Sequence, residues 1–255
     1  MMRTSNPVLN DNAFSGSYAA GEAMTIQGTV NKTMILLFIL TLGAFWVWQK
    51  FIGMAVSPET NATAAAAIAP FLLIGVLGGF ALAIVTVFKR QWAAITSPLY
   101  AACEGLVLGG ISALTEMQYP GIVMQAVGLT FGVLFCLLAV YKSGIIKATE
   151  NFKLGVVAAT GGIALFYFVE FILSFFHITV PAIHQSGWIG IGFSLFVVVI
   201  ASLNLVLDFD FIEKGSQQGA PKYMEWYAAF GLMVTLIWLY LEILRLLTKL
   251  NSRRD

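Results

Sequence analysis

A chain of 255 residues that is 59% hydrophobic and only 11% charged lies outside the range of ordinary soluble domains. Its formal net charge of +1, with basic residues scattered through short loops, gives no footprint for nucleic acid. The composition is that of an all-α, multi-pass membrane protein whose first partner is the lipid bilayer.

Residues 1–32 are polar and rich in Gly, Asn and Ser. They lack the apolar core and small-residue cleavage site of a signal peptide, so they read as a tail that stays on the protein. Seven apolar runs follow, at 33–52, 70–88, 97–115, 121–141, 154–176, 187–207 and 228–247. Each is close to the roughly 20 residues that a helix needs to cross the hydrocarbon. The expected organisation is a transmembrane domain over 33–250 and a short polar tail at 251–255. Cys103 and Cys136 sit in apolar runs without CxxC spacing, which points to neither a disulfide framework nor a zinc site.

Orientation follows from Lys and Arg in the short loops. A cytoplasmic N-terminus places Arg3, Lys32, Lys89, Arg90, Lys142, Lys147, Lys153, Lys214 and Lys222 inside. Seven crossings then export a tail bearing Lys249, Arg253 and Arg254, which the same rule disfavours. Either the earlier loops override the tail, or the last run enters and returns; its length and apolarity favour a full span.

Acids inside the runs carry the functional signal, because an ionisable group at a helix centre costs roughly 2.5–3.5 kcal/mol on insertion scales. Glu104, Glu170, Asp208, Asp210 and Glu242 lie in or at the edge of runs that hold few Lys or Arg, chiefly Arg245 and the flanking Lys50. Ion pairs alone then leave too few partners, and protonation or a transient cation would neutralise the rest. Each acid also has a plainer reading. Glu242 can snorkel to the interface or pair with Arg245 at i,i+3. Asp210 can be an interfacial carboxylate. Glu170 can be a protonated acid bonded to a neighbouring helix, and so can Glu104, whose neighbours Gly105, Gly109 and Gly110 invite a close helix contact. Asn204 and Asp208 are four apart and share a face, so Asn204 extends a polar stripe inward from Asp208. His177 and His184 flank Pro181 without an HExxH pattern, and no GxSxG, P-loop or dinucleotide fingerprint occurs in the right setting. The chain is therefore not read as an enzyme.

Several short motifs agree in order and spacing along the chain: SNPVLND and GTVNKT before the first run, E-G in the third, NLVLDFDFIE closing the sixth, and WLYLEIL in the seventh. With these the chain resembles the Bax inhibitor-1 and YccA family, also called the transmembrane Bax inhibitor motif family. The resemblance implies seven helices, six of them wrapped around a central C-terminal helix. It also implies a pH-sensitive calcium leak channel of the cell membrane, gated by a pair of acids on the sixth and seventh helices that shares a proton. Asp208, with Ile212 four residues on, matches the sixth-helix acid, and Glu242 the seventh-helix acid. Glu242 stands where Asp is usual, and Leu207 where an aromatic is common. Glu104 matches the glutamate of the family's E-G motif, a pore or gate carboxylate there. Asn204, Asp210 and Glu170 are further pore or gate candidates.

The proximity of Asp208 and Glu242 is supplied by the resemblance, not by their spacing. Two such acids would titrate as a coupled pair that a proton or a cation can bridge. With Asn204 and backbone carbonyls they offer fewer than the six to eight oxygens of a tight Ca²⁺ site. Weak, transient Ca²⁺ binding suits conduction. No cofactor is expected, with Ca²⁺ as the transported ion and protons as the signal. Two alternatives remain: a proton-coupled secondary transporter using the same acids, and a non-conducting regulator of a membrane protease or another membrane protein, in which the acids would be structural. An intramembrane hydrolase, needing the histidines and an acid on one metal, stands last.

Overall fold

The structure, a computed structural model, describes residues 23–54, 58–176 and 187–253, without the side chains of 52–54, 58–65 and 68. His177 and His184 lie outside the described residues. Among the described residues, seven helices are long and apolar enough to cross a membrane. They are α1 (Ile26–Met54), α2 (Pro58–Phe88), α3 (Ala93–Gln118), α4 (Ile122–Lys142), α5 (Glu150–Phe175), α6 (Trp188–Gln217) and α7 (Met224–Asn251). In a medium without water each backbone N–H and C=O must be satisfied within the segment, and a helix does this. The protein is a multi-pass, all-α membrane protein.

Helix ends follow local chemistry. Pro58 opens α2 at the position where its missing N–H costs nothing. Thr149 caps α5 by accepting the Phe152 N–H at 3.3 Å. Gly144 (φ 75) and Gly219 (φ 65) take the left-handed conformation just beyond α4 and α6, where a side chain would be strained. Two boundaries differ from the hydropathy reading. α1 starts at Ile26 rather than residue 33, because Gln27 and Asn31 bond each other one turn apart and keep this polar stretch helical. α7 is one unbroken helix of 28 residues, about 42 Å long, so the alternative of a segment that enters and returns is excluded.

α7 is the most buried of the seven. Ala229, Met233, Leu236, Leu239, Ile243 and Leu244 form its contribution to the main core. It packs against α1, α3, α4 and α6, while α5 packs on α6 and reaches α7 through Tyr167. α2 departs from the expected wrapping: it lies on α1 and α3. The reason is its glycines, since Gly75, Gly78 and Gly79 bring its backbone against Cys103, Glu104 and Val107 of α3.

A second glycine seam joins α3 to α1. A Cβ at Gly105 would strike the Leu40 carbonyl oxygen, and one at Gly109 would lie 2.8 Å from the Ala44 Cα. Gly109→Val is expected to destabilise the protein by about 1–3 kcal/mol through overpacking against backbone that cannot yield. Thermal unfolding in detergent checks this, and Gly128→Val on α4, where a Cβ meets nothing, is the control.

The helices alternate in direction. One end of the bundle, called proximal here, gathers the starts of α1, α5 and α7 and the ends of α4 and α6. Ion pairs and a hydrogen bond tie it together: Lys32 to Glu225, Lys153 to Asp210, and Tyr141 to Glu213. The distal end holds Glu116, which accepts the Gly121 and Val123 N–H groups at the start of α4, and Lys249.

Candidate functional site

The acids fall into two groups once their partners are placed. Glu242, 2% exposed, faces α5 and carries a full set of donors. Arg245 Nη1 donates to both of its oxygens at 3.1 and 3.2 Å, and the Tyr167 hydroxyl donates at 3.1 Å. Arg245 also donates to the Tyr167 oxygen at 2.6 Å and lies over its ring, closing a three-residue cluster. The i,i+3 pair with Arg245, the plainer of the two sequence readings, is what Glu242 makes here.

One turn along α7, Lys249 is buried at 6% exposure. It donates to the Gly190 carbonyl at 3.1 Å and to Ser194 Oγ at 2.8 Å. Its long stem reaches inward from the helix end, so a residue assigned by sequence to the tail belongs to the α6–α7 seam. Glu170 of α5 is within its electrostatic reach. At the proximal end Asp210 bridges Lys153 of α5 at 3.0 Å and Lys214 at 2.9 Å, which makes it an interfacial structural carboxylate. The scarcity of cations inferred from the runs is thereby corrected: lysines at helix ends and Arg245 reach most of the acids.

Asp208 and Glu104 have no cation in ion-pair contact among the described residues. The Thr235 hydroxyl of α7 faces the Asp208 carboxyl. Asp208 Oδ2 is buried with no hydrogen-bond partner. Asn204, on the same face, is engaged elsewhere: its amide donates to Thr160 Oγ1 of α5 at 2.8 Å and to its own Ile200 carbonyl at 2.9 Å. Leaving a buried polar atom unpaired costs about 1–3 kcal/mol, so Oδ2 is an unusual feature. Glu104 is half-buried between α2 and α3, with Tyr100 one turn away as its hydrogen-bond neighbour and Gly79 of α2 against its carboxyl.

The register of the helices sets the depth of each acid. Thr235 and Glu242 are two turns apart on α7, about 10 Å along the axis. The structure therefore does not bring Asp208 and Glu242 together, and no hydrogen bond or ion pair joins them among the described residues. On the other flank of α7, Tyr100 packs edge-on against Phe230 with centroids 5.0 Å apart. Further along, Ser112 and Tyr240 share a hydrogen bond of 2.6 Å. Between these anchors Glu104 comes level with the turn of α7 that carries Thr235. Asp208 and Glu104 thus lie at similar depth on two sides of α7.

Sequence reasoning missed Glu225, Tyr167, Lys249 and Glu116. Glu225 is 1% exposed and accepts from Thr25 N and Oγ1, each at 2.9 Å, and from Lys32. The one sequence signal for the distal cluster was the spacing Glu242, Arg245, Lys249 along one helical stripe.

No group of three or more His, Cys, Asp or Glu converges to hold a metal ion among the described residues. Asp208 with Thr235 supplies fewer than the six to eight oxygens that Ca²⁺ takes in a tight site. No curated protein and no solved structure matches the chain. A family match does exist, and it covers nearly the whole chain: the Bax inhibitor 1 like profile aligns with residues 6–252. On that match, spanning all seven helices and the acids within them, the chain belongs to the Bax inhibitor 1 like family.

Proposed function

We propose that the protein is a pH-sensitive calcium leak channel of the cell membrane, with its N-terminus in the cytoplasm and Asp208 as the group that exchanges a proton for a cation. The observation that carries this reading is the buried, unpartnered Asp208 Oδ2 on a helix packed against α7. Protonated, this carboxyl is neutral and offers a passing cation little. Ionised with no Lys or Arg paired to it among the described residues, it attracts a divalent cation, and its few oxygens let the ion leave again. Glu104, level with it and also without a cation, is the second carboxylate on the path. Glu242 acts as a latch held by Arg245 and Tyr167 rather than as half of a shared-proton pair. The shared pair of the family pattern would require the α6–α7 register to slide by about two turns or Glu242 to leave Arg245, and this reading needs neither.

Ca²⁺ entry into liposomes holding the purified protein, measured across a pH series, tests the reading. Flux down the gradient that falls on acidification, without stoichiometric proton movement, is the expected result. Proton flux that depends on a second substrate would turn the reading to a coupled transporter. No Ca²⁺ flux at any pH from folded protein would sink the channel and leave a non-conducting regulator of another membrane protein.

A further inference from the structure

A cavity of about 540 Å³ lies between α1 and α4, floored by α3 and α7. Leu40, Phe45, Leu108, Val127, Phe131 and Leu236 make its lining apolar. α1 and α4 share no packing seam. Phe45 and Met124, on its two flanks, are 57% and 77% exposed, so the cavity opens sideways toward the medium around the helices. That medium is lipid hydrocarbon. The volume is within the roughly 300–1,000 Å³ of ordinary ligand sites.

We infer that this cavity binds one acyl chain of a bilayer phospholipid from the distal leaflet. Three observations select that occupant. The void opens to hydrocarbon and the hydroxyls in its lining are already bonded, Thr41 to the Leu37 carbonyl, Thr130 to the Ala126 carbonyl and Ser112 to Tyr240, so little is left to hold water, and acyl chains are the apolar material at its mouth. Its length also fits: from Leu37 to Trp48 it follows three turns of α1, about 16 Å, close to half of the roughly 30 Å hydrocarbon thickness. Finally, the polarity is one-ended. Glu116, the one charged residue in the lining, sits at the distal end, where a lipid headgroup would lie. Its two backbone acceptor bonds leave carboxylate lone pairs free, which favours a headgroup bearing an ammonium over an anionic one. The Ser112–Tyr240 pair joins α3 to α7 in the cavity floor, next to the turn that holds Glu242.

A phospholipid carrying a diazirine near the end of its acyl chain, reconstituted with the full-length protein, provides the test. Peptide mapping after photolysis should concentrate label on the α1 and α4 residues of the cavity. Thr41→Phe and Val127→Trp, which fill it, should lose that label, whereas Leu73→Trp on the exposed face of α2 should keep it. Thermal unfolding of each variant shows whether it is folded, and the wild-type map stands alone if a filled variant is not. An ethanolamine-headed probe should label the cavity more than a glycerol-headed one, and Glu116→Gln should remove that preference. Label spread evenly over all lipid-facing helices, or unchanged by filling the cavity, would mean adventitious surface lipid and overturn the inference. Equal labelling by both headgroups would overturn the role given to Glu116.

Discussion

Asp208→Asn is expected to abolish the pH dependence of Ca²⁺ flux while leaving the protein as stable as the wild type to within about 1 kcal/mol. Asn has the shape of Asp but does not titrate, so the proton switch is lost. The unpartnered Oδ2 has no bond to lose, so stability has little reason to fall. Glu242→Gln should behave in the opposite way. Arg245, with its side chain 42% exposed, loses its buried partner but can turn to solvent, so the cost is about 1–2 kcal/mol, and the remaining flux still follows pH. Paired flux and unfolding measurements on the two variants separate these outcomes. A pH dependence lost in Glu242→Gln but kept in Asp208→Asn would reverse the assignment.

The second large effect belongs to the proximal end. Glu225 joins the start of α7 to the start of α1 through Lys32 and both Thr25 donors, and Met24 N–H donates to the Ala220 carbonyl at 2.7 Å beside it. Glu225→Ala leaves Lys32, with 17% of its side chain exposed, without its counter-charge. Breaking a buried pair in this way costs about 3–5 kcal/mol. The unfolding midpoint should drop by roughly 10 °C. Replacing both charges with methionine should recover much of the loss, because the penalty comes from the charge left behind. If Glu225→Ala unfolds at the wild-type temperature, the Lys32–Glu225 pair contributes nothing to stability. Gly28→Ala should also destabilise, since its Cβ would collide with the Glu225 carboxyl.

Much of the fold was readable because span length and apolarity are local properties. Seven runs of about the right length became seven helices, and the glycines of the E-G motif did mark a close helix seam. The partners of the acids were not readable, because they depend on helix register. Tyr167 meets Glu242 across 75 residues of chain, and Lys32 meets Glu225 across 193. Lys249 looked like tail because hydropathy ends before it, yet a four-carbon stem carries its ammonium back to Ser194. Asp208, read from its stripe as an inward-facing acid, has a buried Oδ2, but Asn204 on that stripe donates to Thr160 instead. Its pairing with Glu242 rested on resemblance, and the α6–α7 register instead sets it opposite Thr235.

In the proposed channel Asp208, and not Glu242, holds the exchangeable proton of the bundle. Infrared difference spectra of the reconstituted protein across the pH range of the flux change report it directly, through the carbonyl stretch that only a protonated carboxyl gives. The expected spectrum shows one such band converting to carboxylate as pH rises, absent in Asp208→Asn and present in Glu242→Gln. A band that survives Asp208→Asn and disappears in Glu242→Gln would contradict the account and return the proton to the seventh helix.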